Sequence, residues 1–404
     1  MKNLKNLIVL AGMSSMLACT PASQFTPGSY GYDADFLTKQ GIDYKELVSN
    51  DGKSRVMLVP AWQGRVLTSS ALGNEGDSYG WMNYDFIQAG KISPQFNPIG
   101  GEERFWLGPE GGDFSLFFKK GEEQVYENWR VPAVLDTEAF TVKQASDQQI
   151  SFTKQTTVTN ASENVFHLQI DRTVSLLDAA KVAEQFQVQL PVDASFVAYR
   201  SNNKITNVSQ QAWTKETGLL SIWLLGCFNP APTTTVFIPY CTEAEGEIVK
   251  DDYFGKVPAD RLVAEDGMIY FKIDGKYRAK IGLSAERQKG LCGSYDSSKN
   301  LLTLIRCSMP TAPADYVNSQ WGKQTDPFHG DAINSYNDGP VEDGSIMGPF
   351  YEIETSSPGA ALKPGESLTH SQTVVHLQAD FETLAGIAMK VFGVDLNVAK
   401  NKFK

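Results

Sequence analysis

Between residues 50 and 378 the apolar positions fall into short runs rich in β-branched and aromatic residues, broken by Gly, Pro, Asn and Asp. The pattern predicts an all-β chain. Strands are expected at Ser54–Val59, Phe114–Phe118, Ser151–Val158, Phe166–Leu176, Leu219–Phe228, Thr235–Tyr240, Ile269–Ile273, Leu301–Cys307, Phe350–Thr355 and Ser367–Leu377. The polar stretch Asp296-Ser297-Ser298-Lys299-Asn300 between apolar runs reads as a hairpin connection, which implies antiparallel pairing. Two helices are expected near the ends. Asp33 can cap one that reaches Gln40; Asp380 can cap one running to Phe392, with Phe381, Leu384, Ala388 and Val391 along one side and Gly393 as its stop.

No Ser/Gly/Pro-rich or strongly charged linker divides residues 31–404, and no repeat is visible, so one β-domain is expected there. So many strands make two layered antiparallel sheets whose inner faces pack, leaving an outer curved face for a ligand.

The N-terminus alters the setting. Lys2 and Lys5 precede Leu7-Ile8-Val9-Leu10-Ala11, and small residues lead to Leu17-Ala18-Cys19, the order of a secretory signal. The ending resembles a bacterial lipobox, which implies a signal peptide over 1–18, lipid on Cys19, a spacer to residue 30, and a place in the bacterial cell envelope, on the outer-membrane or periplasmic side. Removing residues 1–18 takes away two lysines and no acid, so a net charge of −11 becomes −13. No later segment has the apolar length of a transmembrane span, so the lipid is the only expected membrane contact. An acidic chain without a basic cluster is no nucleic-acid binder. Cys227, Cys241, Cys292 and Cys307 lack CxxC spacing and read as free, buried thiols ahead of a disulfide or metal role, which a compartment that permits disulfides leaves open.

The segment Asn97-Pro98-Ile99-Gly100-Gly101-Glu102-Glu103-Arg104-Phe105-Trp106-Leu107-Gly108-Pro109-Glu110 reads as a glycine-rich turn. Gly100-Gly101 permits close approach to a ligand or another strand, and Arg104, Trp106 and Glu110 offer a planar donor fork, an aromatic platform and an acceptor. Sugars need that mixture, because their C–H faces stack on rings and their hydroxyls need paired donors and acceptors. In the run Phe350 to Ser356, period two places Glu352 and Glu354 on one face, with Cα atoms about 7 Å apart.

Pro60-Ala61-Trp62-Gln63-Gly64-Arg65-Val66, the segment Asn97 to Glu110, and Phe350 to Ala360 followed by Lys363-Pro364-Gly365-Glu366 together resemble the galactose-mutarotase-like (aldose 1-epimerase-like) superfamily. The ensemble also resembles uncharacterised lipoproteins of gut-type bacteria. The superfamily resemblance implies a large antiparallel two-sheet β-supersandwich with a few short helices and a sugar cleft on a concave face. It further implies that Glu354 takes the proton from the anomeric hydroxyl. The family's acid, a histidine beyond a Thr-Asn strand end, has no counterpart: from Val158-Thr159-Asn160 the count reaches Asp171-Arg172, and His167 falls too early. Replacements are His370, expected across a hairpin from the Glu352/Glu354 strand, and His329 or Asp331 in the long polar loop Trp321 to Pro340.

No nucleophile elbow, zinc helix, phosphate loop or dinucleotide loop is present, and no metal or cofactor is expected. The expectation is therefore a lipid-anchored protein that binds carbohydrate through Arg104, Trp106, Glu110 and His370. It is either an epimerase-like or glycan-processing enzyme using Glu354, Glu352, His329 and Asp331, or a non-catalytic glycan-binding lipoprotein.

Overall fold

A computed structural model describes residues 23–404. The signal segment 1–18 and the lipidation site Cys19 lie outside the described residues. The chain is all-β with a few short helices, and every strand pairing is antiparallel.

The larger sheet has ten strands in the spatial order Leu262–Glu265, Met268–Lys272, Thr234–Pro239, Leu291–Asp296, Leu301–Cys307, Ser367–Gln378, Ser195–Asn207, Val165–Leu176, Gln149–Thr159 and Thr141–Ala145. A five-stranded sheet runs Ala279–Ser284, Asp331–Asn337, Tyr351–Ser356, Ser221–Phe228, Arg104–Gly108. A third sheet of three strands, Lys45–Val48, Arg55–Val59 and Arg65–Ser70, adds to the two expected layers.

Alternation explains the layering. In the ten-stranded sheet Val236, Ile269, Phe271, Ile305 and Val374 point to one side and join Ile222, Leu224, Ile281, Ile333 and Ile353 of the five-stranded sheet in the main core. Phe237, Tyr270, Leu304, Val375 and Leu377 point to the other side, where Leu384, Ile387, Ala388 and Phe392 of the helix Phe381–Phe392 cover them. That helix starts on Asp380, whose carboxylate accepts from the Thr383 amide, and stops at Gly393 with φ +75°, as the sequence predicts. The N-terminal helix, Tyr30–Lys39, is capped instead by Ser29, and Asp33 lies in its first turn. Ser23 Oγ already donates to Asp35 Oδ2 at 2.6 Å, so part of the expected spacer packs on the fold.

Other expectations change. Phe114–Phe118 forms bends, not a strand, because Leu116, Phe117 and Phe118 all turn into the core. The supposed turn around Trp106 contains the strand Arg104–Gly108, and the supposed loop before Pro340 contains the strand Asp331–Asn337. The strand of His370 pairs with Leu301–Cys307 and Ser195–Asn207 in the ten-stranded sheet, not with the strand of Glu352 and Glu354.

Between the layers runs a polar seam. Arg172 donates to Glu103 at 2.7 Å with both side chains wholly buried; Gln372 Nε2 donates to Glu103 at 2.8 Å; Thr355 Oγ1 donates to Gln372 Oε1 at 2.8 Å and accepts from His370 Nε2 at 2.9 Å. Each member is partnered, which is what burial of such groups requires.

Candidate functional site

The outer face of the five-stranded sheet follows from its register. Lys280, Tyr336, Glu352 and Cys227 stand opposite one another on successive strands; Asn334, Glu354, Leu225 and Arg104 form the next row; Ser356, Trp223 and Trp106 the third. Over this face opens a cavity of about 500 Å³. Four of the chain's seven tryptophans, Trp106, Trp129, Trp223 and Trp321, line it.

The charged floor is built from two pairs. Arg104 NH2 donates to Glu352 Oε1 at 2.9 Å, and the Cys227 thiol donates to the same oxygen at 3.1 Å. Glu352 Oε2 has no protein partner among the described residues. Lys280 Nζ and Trp223 Nε1 donate to Glu354 Oε2 at 3.0 and 2.8 Å, while Glu354 Oε1 is buried without a partner among the described residues. Trp106 supports the first pair from below, with its ring 4.3 Å from the Arg104 guanidinium and its Nε1 donating to the Leu135 carbonyl at 3.1 Å.

Electrostatics separate the acids. Burial, reinforced by Glu354 and opposed by Arg104, pushes Glu352 up to about 7. Burial likewise raises Glu110 to about 6, against the pull of Lys280. Burial works against the charge on Lys280, but Glu354, Glu110 and Glu352 outweigh it and hold the ammonium above its usual range. The cavity thus contains two carboxyls that exchange protons near neutrality, beside a fixed cation.

The structure brings Arg104, Trp106, Glu110, Asp331 and Glu352 into one cavity. Glu354 lies just beneath, 0% exposed, and touches the cavity wall through Lys280 and Trp223. Asp331 accepts from the Tyr253 hydroxyl and from Asn334 Nδ2. His329 does not line the cavity: its side chain is 63% exposed, 3.9 Å from Glu286. His370 is enclosed in the polar seam on the opposite face of the five-stranded sheet, and burial lowers its proton affinity to about 4. The Gly100-Gly101 pair serves a contact within the protein: with φ +90° and +111°, added Cβ atoms would lie 2.3 Å from the Trp81 carbonyl oxygen and 2.5 Å from Arg65 Cδ.

Lys280, Trp223, Trp129 and Tyr253 were not expected at the site. Lys280 was open to discovery, since Lys280, Gly282 and Ser284 alternate with Ile281 and Leu283. Trp223 sits inside an apolar run whose two faces look alike in sequence, and Trp129 and Tyr253 come from connections with no periodicity. Among the described residues no group of three or more His, Cys, Asp or Glu side chains is gathered as a metal site, and no helix is long and apolar enough to cross a membrane.

A family model matches residues 28–403. The chain belongs to that family, DUF6786, a family of unknown function. No curated protein matches it. Among solved structures it is similar to the Slr1438 protein of Synechocystis sp. PCC 6803, with 12% identity and a TM-score of 0.52 over 84% of this chain and 96% of that one. It is also similar to a galactose mutarotase-like protein from Lactobacillus casei ATCC 334, with 10% identity and a TM-score of 0.49 over 83% of this chain and 100% of that one. At such identities the likeness to the Synechocystis protein is one of fold.

Proposed function

We propose that the cavity binds a saccharide and that Glu352 and Glu110 act on it as an acid–base pair, in aldose-epimerase-like chemistry or in processing of a glycan. The observation that carries this reading is Glu352 itself: it lines a tryptophan-walled cavity with one oxygen fixed by Arg104 and Cys227 and the other without a partner among the described residues. Tryptophan faces suit the C–H faces of a pyranose, and the charged floor suits its hydroxyls.

In anomer interconversion one carboxylate removes the proton from the anomeric hydroxyl. The C1–O5 bond breaks, its electron pair goes to O5, and O5 takes a proton from the other carboxyl. Rotation about C1–C2 and the reverse transfers close the ring as the other anomer. Glu352 and Glu110 are suited to both directions because each holds its proton near neutral pH. Glu354 acts behind them as a positioning residue that holds Lys280. Cleavage of a glycosidic bond would use the same carboxyls as acid and as nucleophile or base.

Exchange spectroscopy of glucose and galactose anomers should show acceleration by the protein, and a loss of at least about a hundredfold in Glu352→Gln. Saccharide binding without acceleration or cleavage would instead support a non-catalytic glycan-binding protein, a reading favoured by the commitment of both Glu352 and Glu354 to ion pairs. The envelope setting belongs to the same proposal and rests on Leu17-Ala18-Cys19. Cys19→Ala should move the protein from the membrane fraction to the soluble one.

A further inference from the structure

Resting on the saccharide reading, we infer that the cavity selects an anionic saccharide, one bearing a carboxylate or sulfate, and that Arg278 is the residue that receives the anion. Arg278 lines the cavity two residues before Lys280, just outside the strand Ala279–Ser284. Its guanidinium carbon lies 3.9 Å from the centre of the Phe254 ring, and Phe254 packs edge-on to Tyr336 at 6.0 Å. That stacking, with the Tyr336 hydroxyl beside the guanidinium, fixes the planar group in place without a direct carboxylate partner among the described residues.

The other cavity cations are taken. Arg104 is paired with Glu352 and Lys280 with Glu354, whereas Arg278 has no carboxylate within 4.0 Å among the described residues. The acid closest to it in the strand pairing is Asp338, whose oxygens are occupied by the Tyr336 hydroxyl at 2.8 Å and the Gly348 amide at 2.9 Å.

The cavity acids that are in no ion pair among the described residues stand elsewhere. Asp331 packs against Gly282, four residues and about 13 Å of strand rise from Arg278. Glu110 follows the last residue of the opposite edge strand, beyond Gly108. The cavity is therefore polarised along the strands, with a guanidinium that is in no ion pair among the described residues, and has Asp338 as its nearest acid, at the end formed by Phe254, Tyr336, Met347 and Phe350. A guanidinium in such a setting binds a carboxylate or sulfate through paired donors, and a neutral hydroxyl uses that geometry less well.

The test is calorimetric binding of matched probes to the full chain: trigalacturonate against galactotriose, with galactose 6-sulfate against galactose as the second pair. The expected result is at least tenfold tighter binding of a charged probe, weakening with salt, with the ratio falling to about one in Arg278→Gln and partly restored in Arg278→Lys. Preference for the carboxylate pair or the sulfate pair identifies the anion. Equal affinity for charged and neutral probes, or a preference unaffected by Arg278→Gln in a variant with unchanged melting, overturns the inference and leaves the saccharide reading standing. Absence of binding to all four probes counts against both.

Discussion

Arg104 and Glu352, 248 positions apart in sequence, meet at 2.9 Å by reaching diagonally over the strand Ser221–Phe228 that separates their own two strands. Arg104 is what holds the Glu352 proton affinity down to about 7 against burial. Arg104→Gln should raise the Glu352 titration midpoint further, read by carboxyl-carbon NMR, and destabilise the fold by about 3–5 kcal/mol because one partner of a buried pair is left alone. A midpoint that falls would contradict the pairing.

The same titration in the unaltered protein should give midpoints near 7 for Glu352 and near 6 for Glu110. If one must be protonated and the other ionised, turnover peaks between about pH 6 and 7. The stability sign follows. Glu352 keeps its proton in the folded state above the pH at which the unfolded chain releases it, so stability falls as pH rises from about 4.5 to 7, and Glu352→Gln should remove that part of the slope.

Two tryptophans should behave differently. Trp106 is 3% exposed beneath Arg104, so Trp106→Ala should cost about 3–5 kcal/mol by chemical denaturation. Trp321 is half-buried at the wall, so Trp321→Ala should weaken saccharide binding with a much smaller loss of stability. Equal stability losses would show that Trp321 is core.

His370 is buried neutral, with its affinity lowered from 6.5 to about 4. The unfolded chain protonates first as pH falls, so this residue should cost about 3 kcal/mol of stability between pH 6.5 and 4. Acid unfolding of His370→Gln should be correspondingly shallower over that interval, whatever its stability at pH 8.

Gly101→Ala meets both a left-handed backbone and the Arg65 side chain at 2.5 Å, and Gly100→Ala meets a backbone carbonyl at 2.3 Å that has less room to give. Both variants should be less stable, Gly100→Ala the more so, by thermal melting.

The sequence carried much of this arrangement and lost the rest for identifiable reasons. Period two correctly put Phe350, Glu352, Glu354 and Ser356 on one face and Ile353 and Thr355 on the other, because one face of that strand enters the core. Polar strands escaped: Asp331–Asn337 looks like a loop because its outward residues Asp331, Asn334 and Tyr336 line the cavity and Ser335 and Asn337 are buried with hydrogen-bond partners. His370 was placed in the wrong layer because neighbours in sequence need not be neighbours in a sheet; its strand crosses over to the ten-stranded sheet after Ser356. Trp129 and Trp321 meet at 6.3 Å through folding of two long connections, a contact no local pattern announces.

The bond from Thr355 to Gln372 and the one it accepts from His370 tie the back of the strand carrying Glu352 to the other layer. Such a buttress leaves the cavity floor little freedom to adjust, since moving it by a fraction of an ångström would strand several interior polar groups at once. Adaptation to different ligands therefore falls to the connections that bring in Trp129, Tyr253 and Trp321, and a substitution at Gln372, far from any solvent, should be felt at the carboxyl that faces the ligand.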